Sequence, residues 1–138
     1  MIGAVVDISF NVENVPSLLH ALKVNVGERE VILEVAAQLE NGVVRAVALG
    51  ATDGLKRGMV VKNAGNYIEV PVGKETLGKI FDVVGKTIDG SKLSANVKKY
   101  PIHRPAPLLV DQEVTAQILE TGLKVVDLIA PFVKGGKV

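Results

Sequence analysis

The chain has 138 residues, a length sufficient for one ordinary domain or two small ones. Of these residues 48% are hydrophobic and 4% aromatic, and the formal net charge is +1. The near-neutral charge argues against a nucleic-acid binder, which would carry a basic stripe, and the absence of cysteine excludes disulfides and thiolate metal sites. No apolar run approaches the ~20 residues of a membrane-spanning helix, and the N-terminal residues lack the basic region of a secretory signal. We therefore expect a soluble protein, or one that reaches a membrane only through its partners.

The first 72 residues contain aliphatic and β-branched runs separated by turn residues, a pattern that predicts short strands. Asn41-Gly42 lies between two such runs and predicts a hairpin. Strands at this spacing favour a small barrel or sandwich, and a closed barrel would leave no apolar edge exposed. We predict a mainly β, six-stranded barrel, with strands near residues 2–10, 21–26, 30–39, 43–49, 59–62 and 67–72.

The character of the sequence changes after Gly73, so we place a domain boundary near Val72. One more strand is predicted over residues 79–84, and the proline-rich residues 100–107 predict an extended, irregular segment. Apolar residues at mixed i+3 and i+4 spacing predict a helix over residues 113–132, broken at Gly122.

The segment Gly73-Lys74-Glu75-Thr76-Leu77-Gly78-Lys79-Ile80 has the spacing of a phosphate-binding loop. Such a loop needs a Ser or Thr after its Lys to hold Mg²⁺, and here that position is Ile80. It should also open a helix, whereas the residues that follow predict a strand. We therefore interpret the segment as a loop that does not bind nucleotide.

The remaining polar residues form no pattern that predicts chemistry. His20 and His103 are far apart and have no acidic residue at a metal-binding helical spacing. Asp7, Asp82 and Asp127 each interrupt an apolar stretch, where a carboxylate more often caps a turn or points outward than acts as a catalyst. The sequence therefore predicts no catalytic, cofactor-binding or metal-binding residue.

Several blocks of the sequence, in this order and spacing, resemble the beta subunits of F-type rotary ATP synthases. Residues 44–50 and 53–58 resemble the hairpin and turn of those subunits, and residues 69–73 and 76–85 resemble their junction between barrel and nucleotide-binding domain. The alpha subunits and V-type relatives share the architecture, but two blocks look like beta. These are Ile2-Gly3-Ala4-Val5-Val6-Asp7 at the start and Ala130 to Val138 at the end.

The resemblance implies that residues 1–72 form a barrel in the collar of a hexameric ring. Residues 73–138 would be the incomplete start of a RecA-like α/β nucleotide-binding domain that lacks the phosphate loop. In this family the first strand starts upstream of Met1, and the groups that bind ATP, ADP and Mg²⁺ lie beyond Val138. This portion is therefore expected to hold no cofactor and to have no catalytic activity alone, and residues 73–138 to pack poorly by themselves.

The resemblance also implies a function and partners for the complete subunit. The family makes ATP coupled to proton or sodium flow, or hydrolyses it in reverse. The expected partners are alpha subunits alternating with beta in the hexamer, and a central stalk subunit. The expected location is the soluble catalytic head of a membrane-bound complex, at the cytoplasmic face in bacteria or in an organelle interior. The alternative is a stand-alone, non-catalytic structural barrel.

Overall fold

The computed structural model describes residues 1–113 and 115–137. The chain divides into two compact units, Met1–Arg104 and Pro105–Val138. This division lies downstream of the domain boundary that the sequence predicted near Val72. The boundary near Val72 stays a prediction.

The first unit is built on a five-stranded antiparallel sheet. Its strands lie in the spatial order β1-β4-β3-β2-β5, so that β1 and β5 are at the two edges. Their bounds are β1 Val5–Ser9, β2 His20–Val26, β3 Arg29–Gln38, β4 Val43–Ala48 and β5 Val61–Tyr67.

The core lies on one face of this sheet because the strands alternate between apolar and polar residues. On β4, Val44, Ala46 and Ala48 are buried, whereas Arg45 and Val47 point outward. Full burial of one Val or Leu side chain contributes roughly 1.5–3 kcal/mol relative to exposure. The buried cluster comprises Ile8, Leu22, Val24, Val31, Leu33, Val35, Val44, Ala46 and Ala48.

The hairpin predicted at Asn41-Gly42 is confirmed, with residues 39–42 joining β3 to β4. Asn41 (φ 58°) and Gly42 (φ 74°) both have left-handed backbone conformations, which Asn and Gly adopt most readily. Gly42 is also required by space, because a Cβ there would lie 2.5 Å from the carbonyl oxygen of Phe10. Phe10 donates its N–H to the Gly42 carbonyl (2.9 Å), so the hairpin also anchors the end of β1.

The prediction of a mainly β fold is confirmed, but the described residues form no closed six-stranded barrel, because their main sheet has five strands and stays open. The run predicted as the sixth strand forms β6 (Glu69–Pro71), which pairs with β7 (Lys99–Pro101) outside the main sheet. Residues Lys62 to Tyr67 of β5 are exposed, and within the described part of the chain β5 pairs only with β2. No strand among the described residues therefore joins β5 to β1.

The strand predicted over residues 79–84 is also wrong, since only an isolated bridge between Phe81 and Thr87 forms there. Asp82 explains the difference, because one of its carboxylate oxygens accepts the N–H groups of Val84 (3.0 Å) and Lys86 (2.7 Å). This closes a turn where an extended chain was expected.

The second unit contains a strand pair, β8 (Ile118–Leu119) with β9 (Phe132–Val133), and the helix α1 (Lys124–Ile129). The helix predicted over residues 113–132 is therefore wrong in extent, and Val114, within that prediction, lies outside the described residues. Asp127 limits the helix by accepting the N–H groups of Thr121 (3.1 Å) and Gly122 (3.0 Å), which fixes the turn before α1.

None of the described residues of the second unit is buried. These short elements do not by themselves define a RecA-like fold, so that expectation remains a prediction. In the part of the chain that the structure describes, no helix has the length and apolar character needed to cross a membrane.

Candidate assembly site at the open edge of the sheet

The outer edge of β1 presents backbone groups with no partner strand among residues 1–113 and 115–137. The N–H of Phe10 donates to the Gly42 carbonyl, and the carbonyl of Ala4 accepts from the Ala48 N–H. The backbone N–H and C=O groups of even-numbered residues in β1 therefore point toward β4. Because backbone groups alternate along an antiparallel strand, the N–H groups of Asp7 and Ser9 point to the open edge. An edge of this kind is a template for an additional strand.

A groove of about 670 Å³ lies between β1 and the start of β5. Its lining is mainly apolar, and three of its residues, Ile8, Val24 and Leu33, also belong to the core. The groove thus opens onto the interior of the sheet at the place where β1 and β5 fail to meet. Other apolar lining residues are Met1, Val6, Leu55, Met59, Val60 and Val61.

The far wall of the groove is the loop of residues 55–60, which local contacts hold in place. Leu55 donates its N–H to the Thr52 carbonyl (3.1 Å), and the Lys56 N–H lies 3.3 Å from the Met59 sulfur. Gly54 (φ 86°) precedes the loop, and a Cβ at this position would lie 2.7 Å from Val26. The loop nevertheless leaves Val60 77% exposed, an apolar side chain at the mouth of the groove.

One ion pair borders the groove. Arg45 on β4 donates two hydrogen bonds to the Asp7 carboxylate, at 2.8 and 3.0 Å. The hydrogen bond from Arg45 lowers the pKa of Asp7, and the same contact raises the pKa of Arg45. The two side chains are directly opposite each other in the β1–β4 register and about half exposed, so they reinforce that pairing and leave the outer edge free.

The structure places the segment 73–80 as a turn outside this groove. Residues Lys74–Thr76 form one 3-10 turn, and the described residues 79–90 form no helix. The Lys79 amine donates to the Lys92 carbonyl (2.6 Å), and the Ile80 N–H donates to Asp89 (3.3 Å). These contacts differ from those of a phosphate loop, whose backbone N–H groups and Lys are free to meet an anion. That the segment binds no nucleotide stays a prediction.

The other residues weighed in the sequence have structural contacts. His20 packs edge-to-face on Tyr67 with ring centroids 5.5 Å apart, and its Nδ1 is buried without a partner among the described residues. His103 lies 2.8 Å from the Glu34 carboxylate on β3, a contact between residues 69 positions apart that spacing rules do not anticipate. Asp82 and Asp127 cap turns, as expected for carboxylates inside apolar stretches.

The structure does not bring the predicted candidates together. Within residues 1–113 and 115–137, no group of three or more acidic or histidine side chains is placed to hold a metal ion. The residues that sequence reasoning missed are those of the open edge, above all Ser9 and Val60. Their only signal in the sequence is the apolar pair Met59-Val60 after Gly58, because a missing strand partner is not a local property.

Residues 1–65 match the family model described as the ATP synthase alpha/beta family, beta-barrel domain. The match spans slightly less than half of the 138 residues and covers β1 to β4 and most of β5. This segment is therefore similar to that domain family. The description of the family covers alpha and beta subunits alike.

Proposed function

We propose that this chain is the front portion of the catalytic beta subunit of an F-type rotary ATP synthase, and that its first 72 residues build the ring of alternating alpha and beta subunits. The observation that carries the proposal is the match of residues 1–65 to the barrel domain of the alpha/beta family. The assignment to beta is supported by the resemblance of residues 2–7 and 130–138, which lie at the two ends of the sequence.

The open edge of the sheet gives this assembly role a physical basis. The family domain is described as a β-barrel, whereas β1 to β5 form an open sheet with an apolar groove between its edge strands. We propose that a further strand, lying along β1 with its backbone paired to Asp7 and Ser9, closes the barrel over Val24 and Leu33. Closure would bury the groove and satisfy the exposed backbone groups, both of which favour a rigid ring.

For residues 73–138 we propose the start of a nucleotide-binding domain. Leu128 and Ile129 of α1 are 82% and 79% exposed, as for a helix whose apolar side awaits the rest of a domain. ATP, ADP and Mg²⁺ would be bound by other parts of the complete subunit, and chemistry would need those parts. The chain alone would contribute to assembly of the ring and not to catalysis.

The experiment is a competition for ring assembly. Isolated alpha and full-length beta subunits of an ATP synthase are mixed with increasing amounts of the 138-residue chain, and the assembled species are measured by size-exclusion chromatography with light scattering. The proposal predicts that the chain replaces full-length beta and reduces the amount of complete hexamer. An unchanged yield of complete hexamer at a large excess of the chain would contradict it.

A variant at the open edge separates assembly from folding. Ser9→Pro deletes an N–H that points away from β4, so the β1–β4 pairing is expected to survive while strand addition is blocked. Ile8→Pro is the matched comparison, because it deletes an N–H on the β4 side and should unfold β1. The proposal requires Ser9→Pro to keep the circular dichroism spectrum of the original chain and to lose competition for the ring.

A further inference from the structure

The segment from Gly90 to Val110 is rich in cations and contains no Asp or Glu. Its charged residues are Lys92, Lys98, Lys99 and Arg104, in a chain whose overall charge is only +1. Positive charge is therefore concentrated locally, although the net charge of the chain is close to zero. β7 lies in the middle of this segment.

Two of these cations converge on one aromatic ring. The Lys98 Nζ lies 4.6 Å from the centroid of the Tyr100 ring, and the Arg104 guanidinium carbon lies 4.2 Å from it. Both distances are within the range in which a ring quadrupole attracts a cation. Tyr100 is half-buried and directly opposite Val70 in the β6–β7 pair, so the ring has a fixed place on the strand.

This arrangement brings like charges together without an anion. The two cationic groups are at most about 9 Å apart, which is less than the Debye length of about 10 Å at 0.1 M salt. Among the described residues, neither Lys98 nor Arg104 has a carboxylate within ion-pair distance. A hydrogen bond with Lys98 lowers the pKa of Tyr100, with a smaller contribution from Arg104. Carboxylates placed beside these cations would offset their mutual repulsion and gain charge-assisted hydrogen bonds.

A contact between His103 and Glu34 connects this segment to the main sheet. His103, next to Arg104, lies 2.8 Å from Glu34 of β3. Side chains of an extended strand alternate between its two faces, so Lys98 and Tyr100 share a face. The contact at His103 fixes the end of the segment against the sheet, which leaves Lys98 and Arg104 exposed to solvent. A partner would meet a preorganised pair of cations and would lose little entropy in ordering them.

We propose that Lys98, Tyr100 and Arg104 form a docking site for an acidic polypeptide segment of a partner protein, whose glutamate or aspartate side chains pair with the two cations. The choice of a protein partner follows from charge complementarity at a confined site. A nucleic acid would need a longer basic track, and the near-neutral chain does not supply one. This proposal does not depend on the assembly role of the open edge, so an experiment can contradict either proposal without contradicting the other.

The test measures binding of a fluorescein-labelled poly(Glu-Gly) peptide to the full chain by fluorescence anisotropy at low salt. The double variant Lys98→Ala/Arg104→Ala is expected to weaken binding about tenfold or more, in line with the loss of two charge-assisted contacts. The charge-matched control is Lys74→Ala/Lys124→Ala, which removes two exposed cations elsewhere and should leave binding nearly unchanged. Tyr100→Leu keeps both charges but removes the ring that positions them, and it should weaken binding by a smaller factor.

Further binding measurements distinguish the proposed site from nonspecific electrostatic attraction. Neutral poly(Gln-Gly) should not bind, and the acidic peptide should bind more weakly as salt is raised. Equal losses in the two double variants would overturn the proposal, because binding would then follow net charge alone. Tighter binding of single-stranded RNA than of the acidic peptide at the same salt would also overturn it. Circular dichroism confirms that each variant is folded, which is expected because the changed side chains lie outside the core.

Discussion

The core of the sheet can be tested with two identical substitutions on opposite faces of β4. Val44 is fully buried, whereas Val47, three residues away on the same strand, is 37% exposed. Val→Ala removes two methyl groups at either site, and the change in strand propensity is similar for both. At about 0.8 kcal/mol per buried carbon, Val44→Ala should lower the free energy of unfolding by about 1.6 kcal/mol, and by up to about 3 if a cavity remains.

Val47→Ala removes carbons that are already partly in water, and it should cost about 0.5–1 kcal/mol. The assay is urea unfolding of the 138-residue chain monitored by circular dichroism, with ΔG taken by linear extrapolation for each variant. A loss at Val44 exceeding that at Val47 by about 1 kcal/mol supports the placement of the core on this face. Equal losses, or a larger loss at Val47, would refute the alternation on which the fold is based.

Three further predictions follow from single residues. Gly42→Ala should destabilise the chain by about 1–3 kcal/mol, because it places a Cβ at positive φ and against Phe10; Gly50→Ala, where a Cβ meets nothing within 4 Å, should change urea stability little. The hydrogen bond from Arg45 lowers the pKa of Asp7 in the folded chain below its ordinary value near 4. The stability that the ionised Asp7 contributes is therefore present above that ordinary pKa and is lost as pH falls through the lowered pKa of the folded chain. The stability advantage of the original chain over Asp7→Asn, measured by urea midpoints from pH 6 to pH 2, should therefore shrink on acidification; an advantage independent of pH would argue against the ion pair. Neither the original chain nor Lys79→Ala should bind Mg-ATP in equilibrium dialysis, and binding that Lys79→Ala abolishes would show that the segment 73–80 is a nucleotide site.

Local patterns in the sequence predict the first four strands well. The alternation through Val31, Leu33 and Val35 and the Asn41-Gly42 turn set the β3–β4 hairpin, because both depend on neighbouring residues only. The sixth strand was wrong because residues 69–71 pair with Lys99–Pro101, and partner choice is a nonlocal property that composition does not encode. The helix was too long because Asp127 folds back onto the N–H groups of Thr121 and Gly122, and apolar spacing does not report such side-chain contacts.

The candidate sites were less predictable than the fold. The open edge at Asp7 and Ser9 exists because, among the described residues, β1 pairs with β4 alone, and this follows only from the complete set of strand partners. The pair of cations at Tyr100 has a sequence signal, the absence of acidic residues from Gly90 to Val110, but Lys98 and Lys99 by themselves are typical of a solvated surface. Only the distances to the Tyr100 ring make Lys98 and Arg104 a defined site.

The most direct test of the assembly role is amide hydrogen exchange along β1, in the chain alone and in a mixture with isolated alpha subunit. The N–H groups of Val6 and Ile8 point toward β4 and serve as internal controls, whereas those of Asp7 and Ser9 point to the open edge. If the open edge is where the ring is completed, exchange at Asp7 and Ser9 slows strongly in the mixture while exchange at Val6 and Ile8 changes little. Unchanged exchange at Asp7 and Ser9, under conditions in which the chain and the alpha subunit form a complex, would contradict the account.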